Sequence, residues 1–154
     1  MVPALARHSA TTPLIIQTLQ PMLHEDARRE LRATTVHLLC RTWEFTNRVF
    51  VHLQKLLHPK VFLAPALDID LLISMAACVR DVCKKDANSG VDIILSIQAW
   101  IERKIPTVQA LGIESLDHLC ESDVIEFYTC LHPLLLKFPL QIEGFLMGNR
   151  GQQS

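Results

Sequence analysis

The stretch that decides the fold lies in the second half of the chain, where a proline opens a run of regularly spaced apolar residues. Its sequence is Pro106-Thr107-Val108-Gln109-Ala110-Leu111-Gly112-Ile113-Glu114-Ser115-Leu116-Asp117-His118-Leu119. Proline fixes the first helical φ angle, and the spacing places Val108 and Leu111 on the core side of a helix. Glycine inside a helix costs about 1 kcal/mol relative to alanine, so Gly112, near the small Ala110, predicts that a neighbouring helix approaches closely.

This pattern is similar to the second helix of a HEAT repeat, which commonly begins with proline and valine and ends in Leu-x-x-Leu. It can also be laid on an earlier stretch, where Leu31-Arg32-Ala33 matches Val108-Gln109-Ala110 and Leu39 matches Leu116. The offset of 77 residues equals two repeats of about 38 to 39 residues, near the HEAT/armadillo period. We therefore predict an all-α fold of the HEAT/armadillo type, an α-α superhelix of about three helix pairs and a partial fourth.

The composition also favours helices over sheets. Hydrophobic residues make up 49% and charged residues 20% of the 154 residues, enough for one apolar core. Aromatic residues are only 6%, and with 5 glycines and 8 prolines there are few turn formers for many short strands. No stretch shows the strict alternation of a half-buried strand.

The spacing of apolar residues predicts seven helices. They span about 12–23, 27–43, 47–57, 69–85, 91–103, 106–120 and 122–130. Short polar side chains before four of these helices are the predicted N-caps: Thr11 or Thr12, Asp26, Asp68 or Asp70, and Ser122 or Asp123. Asn88-Ser89-Gly90 is predicted to be a turn, and Pro21 should distort the end of the first helix.

The charge balance gives no sign of direct nucleic acid binding, because the formal net charge is only -1. The local basic cluster of Arg28, Arg29 and Arg32 has Glu25, Asp26 and Glu30 among its residues, which is typical of a solvated helix face. At the start of the chain Pro3, Arg7 and His8 interrupt any apolar run, so no signal peptide is predicted.

The apolar segment 61–79 raises the question of a transmembrane helix. Pro65, Asp68 and Asp70 lie inside it, and each aspartate would cost about 2.5–3.5 kcal/mol at a bilayer centre on insertion scales. A buried helix capped by one of these aspartates is the better interpretation. Membrane association without a transmembrane span stays open.

The five cysteines are odd in number and contain no CxxC pair, so free thiols in a reducing compartment are the simplest interpretation. Zinc needs four converging ligands, and the neighbours His37 and Cys40, or His118 and Cys120, do not supply them by spacing. The chain has no GxSxG, P-loop or GxGxxG motif. We therefore predict no catalytic residues, no metal, no cofactor and no enzymatic activity.

Two further groups of residues have a structural and a functional interpretation. The carboxylate pairs Asp68/Asp70 and Glu121/Asp123 could serve acid–base chemistry, but both lie at predicted helix starts, where capping accounts for them. Trp43 and Trp100 each end an apolar face of a helix. Core packing is favoured over a ligand platform, although an exposed tryptophan could anchor a partner.

Several blocks of residues resemble the focadhesin family, which contains a domain of unknown function. In the first half they are Leu5, His8, Leu31-Arg32-Ala33, Leu38-Leu39, Trp43-Glu44, Arg48-Val49 and Leu53. In the second half, where the plant member of the family is the most similar, they are 79–83, 90–92, 108–112 and 118–125. The resemblance makes 1–130 a HEAT/armadillo-like segment and leaves 131–154 as a divergent, partly disordered tail. A chain this short is expected to be a fragment or a truncated product.

The resemblance implies a function as well as a fold, since family members are very large helical-repeat proteins. The plant member acts as a cytosolic cofactor that bridges the RNA exosome to the Ski helicase complex in RNA decay and silencing. This implies a cytoplasmic, non-enzymatic scaffold or adaptor with exosome and Ski components as protein partners. The alternatives are a membrane- or adhesion-associated protein like the vertebrate member, a small enzyme, or a non-functional truncated product.

Both ends of the predicted helical stack have apolar residues. Terminal repeats normally have polar outer faces, whereas this chain begins with Val2, Leu5 and Ala6 and has Leu134-Leu135-Leu136 near its other end. We expect self-association through these open ends.

The substitution Leu116→Ala tests the predicted repeat register. If Leu116 faces the core, its truncation should lower the free energy of unfolding by about 2–5 kcal/mol, as measured by chemical denaturation. A loss below about 0.5 kcal/mol, typical of a surface site, would show that the register is wrong.

Overall fold

A computed structural model of the chain describes residues 8, 10–23, 27–58 and 68–126. Over these ranges the chain forms α-helices and 3-10 segments and contains no strand, which confirms the predicted all-α class for the described part. The helices are α1 (Thr12–Leu19), α2 (Arg29–Trp43), α3 (Phe50–Leu56), α4 (Ile69–Lys85), α5 (Ala87–Val91), α6 (Ile94–Ile101) and α7 (Pro106–Glu121). The 3-10 segments are Gln20–Leu23 after α1 and Asn47–Val49 before α3.

The helix α4 agrees best with its prediction, because its bounds are those expected from the apolar spacing. The apolar spacing over 69–85 predicts seven core residues on one face of this helix, and all seven are buried: Leu71, Leu72, Met75, Ala76, Val79, Val82 and Cys83. Asp68 occupies the N-cap position, but its side chain makes no capping hydrogen bond. Among the described helices none is long and apolar enough to cross a membrane. The residues 61–67 of the apolar segment lie outside the described ranges.

The helix predicted over 91–103 is shorter in the structure, where α6 spans Ile94–Ile101, and the turn predicted at Asn88-Ser89-Gly90 is wrong. These three residues belong to α5, and α6 follows after a short turn. Asp86 caps α5 by accepting hydrogen bonds from the Asn88 amide at 3.2 Å and the Ser89 hydroxyl at 2.7 Å. A side chain that satisfies the first amides of a helix therefore overrides the turn-like composition.

Gly90 has a packing role in α5. A Cβ atom at Gly90 would lie 2.7 Å from Leu119 Cδ2 and 2.8 Å from Cys83 Sγ. The glycine is therefore required because α4 and α7 approach α5 closely, and its conformational freedom is not used.

The predicted start of a seventh helix at Ser122 or Asp123 is also wrong, because these residues end α7. Asp123 has a φ angle of 54°, in the left-handed region. The Asp123 amide donates to Cys120 O at 3.1 Å and the Val124 amide to Leu119 O at 3.3 Å. This pair of bonds is the Schellman motif, which satisfies the last carbonyls of a helix. Residues 127–130 of the predicted helix lie outside the described ranges.

The first two helices confirm part of their predictions. The change from α to 3-10 geometry occurs at Gln20, next to Pro21, as expected from the missing amide of proline. The helix α2 begins at Arg29 with Arg28 at its N-cap, which corrects the predicted start at residue 27; Asp26 lies outside the described residues. The apolar spacing of these two helices predicts that Leu14, Met22 and Leu31 face the core, but all three are exposed.

The three long helices lie side by side, with α4 in the centre and packed against both α2 and α7. We call α2, α4 and α7 the long-helix row. The helix α6 packs against α7, while α3 and the two 3-10 segments pack against α2. Trp43 and Trp100 are 2% and 0% exposed, which confirms their predicted place in the core. Leu39 and Leu116, which set the predicted register, are buried as well.

Polar contacts join the ends of neighbouring long helices. The Lys85 ammonium donates a hydrogen bond to the Glu44 carbonyl and lies 5.2 Å from the centroid of the Trp43 ring. The lysine therefore ties the end of α4 to the end of α2, through a carbonyl left open by α2 and through a cation–π contact.

The close approach predicted at Gly112 is confirmed. A Cβ atom there would lie 2.8 Å from Ile101 Cγ1 and 3.4 Å from the Ile101 backbone nitrogen. Ala110, two residues before Gly112, does not contribute to this close approach, because it is exposed.

The substitution Gly112→Ala tests this contact. We expect a net loss of about 0–2 kcal/mol in the free energy of unfolding, since an overpacking cost of about 1–3 kcal/mol is only partly offset by a gain of roughly 1 kcal/mol in helix propensity. Ala110→Gly, at an exposed site of the same helix, is the control and should cost about 1 kcal/mol from propensity alone. Urea denaturation followed by circular dichroism measures both. A Gly112→Ala chain more stable than the wild type would show that α6 can move away freely.

Candidate functional site

A groove of about 410 Å³ lies between α2 and α4 on the outer face of the long-helix row. We call it the α2–α4 groove. Its walls are formed by residues spaced three or four apart on each helix: Ala33, Thr34, His37 and Cys40 on α2, and Ile73, Ser74, Ala77, Cys78 and Asp81 on α4. This spacing places them on one side of each helix. Small side chains at four of these positions leave the space open between two packed helices.

The groove brings together two thiols that are 38 residues apart in sequence. Cys40 Sγ lies 3.8 Å from the Cys78 carbonyl oxygen, and both cysteines are 3% exposed. The pKa of the Cys78 thiol is raised well above its ordinary value, first by a hydrogen bond with Cys40 and then by burial. Since the thiolate is the nucleophilic form, Cys78 is a packing residue and a poor nucleophile at neutral pH.

The same groove contains four residues of types that bind metals in other proteins, namely His37, Cys40, Cys78 and Asp81. Nevertheless, in the described ranges no group of three or more histidines, cysteines or carboxylates is arranged to hold a metal ion. The polar side chains of the groove are therefore too dispersed to form a coordination shell.

Beside the groove, a network of charges joins α4 to α7. The Arg80 guanidinium lies 2.8 Å from Asp81 Oδ1 and 3.8 Å from Glu114 Oε2. On α7, the His118 ring nitrogens lie 4.0 Å from Glu114 Oε1 and 3.6 Å from Glu121 Oε2. Exposed ion pairs of this kind contribute only about 0.2–1 kcal/mol each. Their main effect is to fix a pattern of mixed charge on the long-helix row.

The two carboxylate pairs noted in the sequence, Asp68/Asp70 and Glu121/Asp123, do not form joint sites in the structure. Asp68 is the α4 N-cap and Asp70 is exposed in the first turn of α4. Glu121 faces His118, whereas Asp123 ends α7. The sequence analysis does not predict the contact between Cys40 and Cys78. The predicted repeat of 38 to 39 residues would have indicated it, because it superimposes these two positions.

The described residues thus define an all-helical protein whose outer faces carry a groove and surface ion pairs. A family model described as "Focadhesin/RST1, DUF3730" matches residues 1–141. The chain belongs to this family, as its resemblance to focadhesins predicted. The greater similarity to the plant member and the division at residue 130 stay predictions.

Curated relatives support the assignment. Focadhesin of Mus musculus is 32% identical over 133 residues, which cover 80% of this chain and 7% of that protein. Focadhesin of Homo sapiens is 31% identical over 133 residues with the same coverage, and that of Danio rerio is 26% identical over 147 residues, 88% of this chain and 8% of the relative. The chain therefore spans less than a tenth of their length. No solved structure matches the chain.

Cys83, which lies against α5 and Gly90, gives the fold a dependence on pH. Burial raises the pKa of its thiol from the ordinary 9.0 to about 12. Because the folded-state pKa lies above that of the unfolded chain, the thiol's contribution to stability is complete below pH 9 and is lost as the pH rises towards 12.

We therefore expect the free energy of unfolding to fall between pH 9 and pH 11, by at most about 1.4 kcal/mol per pH unit from this thiol. A Cys83→Ala chain should start less stable but fall less steeply over the same range. Urea titrations at a series of pH values compare the two slopes. Equal slopes would contradict the assignment, since the remaining groups are common to both chains.

Proposed function

We propose that this chain is a protein-binding segment of a non-enzymatic, HEAT/armadillo-type scaffold. The observation that carries the proposal is a nearly constant sequence separation between contacting residues of neighbouring helices. Cys40 contacts Cys78 at a separation of 38, Ser96 donates to the Leu57 carbonyl at 39, and Lys85 donates to the Glu44 carbonyl at 41. Such regularity is expected when equivalent helices of successive repeats pack side by side.

The helices can be grouped into pairs that fit this period. By order along the chain the pairs are α1 with α2, α3 with α4, and α6 with α7, and each pair supplies one member of the long-helix row. Of these pairs α6 and α7 pack extensively, whereas α2 is contacted mainly by the 3-10 segment that follows α1. The helix α5 interrupts the pattern between the second and third pairs, where it packs against α4 and α7. Three pairs correspond to the number of repeats expected from the sequence.

The groove and the charge network support binding as the role of this scaffold. The α2–α4 groove offers small and apolar side chains, and the ions beside it are arranged with both signs. Hydrophobic contact in the centre of an interface and polar contact at its rim is the common arrangement of protein–protein binding sites.

For the partner, the resemblance to the plant member favours a cytoplasmic adaptor that binds the RNA exosome and the Ski complex. The name of the vertebrate relatives, focadhesin, favours an adhesion-associated role as the second candidate. Both candidate roles require the same property, a helical surface that binds another protein.

The adaptor role is tested with immobilised chain and purified RNA exosome or purified Ski complex. The wild-type chain should retain one of these assemblies. A chain with His37→Glu and Ala77→Arg in the α2–α4 groove should lose retention by about tenfold or more, as expected for the centre of an interface. A matched control with Leu95→Arg and Gln98→Glu changes exposed positions of α6 and should bind like the wild type.

Failure of the wild-type chain to retain either assembly would overturn the adaptor role. Equal retention by all three chains would show that the binding surface lies outside the α2–α4 groove. If the immobilised wild-type chain instead retains purified focal-adhesion components, the result would favour the second candidate.

A further inference from the structure

A second groove, distinct from the α2–α4 groove, lies between α1 and α3. One part of it, about 330 Å³, is lined by Thr12, Pro13, Ile16, Gln17, Arg48 and His52. The other part, about 210 Å³, is lined by Ile16, Gln20, Leu23, Leu39, His52, Lys55 and Leu56. The two parts are adjacent, since Ile16 and His52 line both of them, and together we call them the α1–α3 groove.

The basic residues of this groove all lie on one wall. Arg48, His52 and Lys55 are spaced four and three residues apart, so they project from one face of the 3-10 segment and α3. No acidic side chain lines the groove among the described residues. Neither Arg48 nor Lys55 forms an ion pair with another described residue, in contrast to Arg80 on the long-helix row.

Both walls and the floor of the groove contribute apolar side chains, and the α1 wall also carries the polar Gln17 and Gln20. Ile16, Leu23 and Leu56 are partly buried and pack against the core, and Leu39 lies beneath them. At one end, the Thr12 hydroxyl is buried and has no hydrogen-bond partner in the described ranges. The groove therefore combines an apolar channel, two exposed cations and a polar atom that lacks a partner.

We propose that the α1–α3 groove binds an acidic amphipathic helix of a partner protein. This inference rests on the proposed scaffold role and adds to it a second surface and the chemistry of its partner. Carboxylates of the bound helix pair with Arg48 and Lys55, and its apolar side chains pack on Ile16, Leu23 and Leu56.

The dimensions fit this occupant. Arg48 and Lys55 are seven residues apart, about two helical turns or roughly 10 Å, so two carboxylates two turns apart on a partner helix can face them. Apolar residues one turn from each carboxylate then point into the channel, as in other helix-in-groove complexes. A flat membrane surface would reach the exposed cations but not the floor between α1 and α3.

The test uses the full chain and a fluorescent helical peptide of about four turns, with two glutamates two turns apart and leucines between them. Anisotropy should report binding that weakens as salt is raised. The double variant Arg48→Glu/Lys55→Glu should bind at least about tenfold more weakly, because like charges then face each other. The milder Lys55→Gln should show a smaller loss.

Two controls separate a specific groove from a general charge effect. The variant Lys84→Glu/Lys104→Glu makes the same change in net charge at exposed lysines elsewhere and should bind like the wild type. A peptide with lysines in place of both glutamates should recover binding to the Arg48→Glu/Lys55→Glu chain. Circular dichroism spectra confirm that each variant is folded.

Absence of peptide binding, or equal binding by both double variants, would overturn the inference. So would binding of phosphatidylserine vesicles that depends on Arg48 and Lys55 while the peptide does not bind. If the peptide fails but the chain retains the exosome or the Ski complex, the scaffold stands without this groove. If the peptide binds as expected and neither assembly is retained, the groove stands and the adaptor role fails.

Discussion

The packing of α4 between α2 and α7 is the constraint on which the rest of the structure depends. Its 17 residues have buried side chains along both flanks, so only a narrow strip of α4 reaches the outer face. That strip supplies one wall of the α2–α4 groove and the centre of the charge network. The polar links to α2 and α7 also start from α4, through Cys78, Arg80 and Lys85.

Close packing of this kind depends on small side chains at the helix contacts. Gly90 and Gly112 allow α5 and α6 to approach their neighbours within distances that a Cβ atom would prevent. Cys40 and Cys78 fill the contact between α2 and α4 with compact thiols. The hydrogen bond with Cys40 and burial raise the pKa of the Cys78 thiol well above its ordinary value, which makes Cys78 a packing residue and a poor nucleophile at neutral pH.

The sequence predicted best those features that depend on one helix alone. The apolar spacing predicted α4, and Pro106 with the following valine predicted α7, because both helices are long enough for the period to be clear. It failed where one residue type serves two purposes: Asp86 starts a helix, whereas Asp123 ends one in the left-handed region. The α1–α3 groove could not be predicted, since Ile16 and His52 meet only through tertiary packing.

The two grooves differ in their electrostatics, and this difference matters for a segment of a much longer protein. The long-helix row presents paired charges of both signs, whereas the α1–α3 groove presents cations without partners among the described residues. The relatives contain this segment as only 7–8% of their length. If the two proposed grooves bind one partner, each of them needs only a weak affinity, because the second contact then forms at the high effective concentration that the first contact sets.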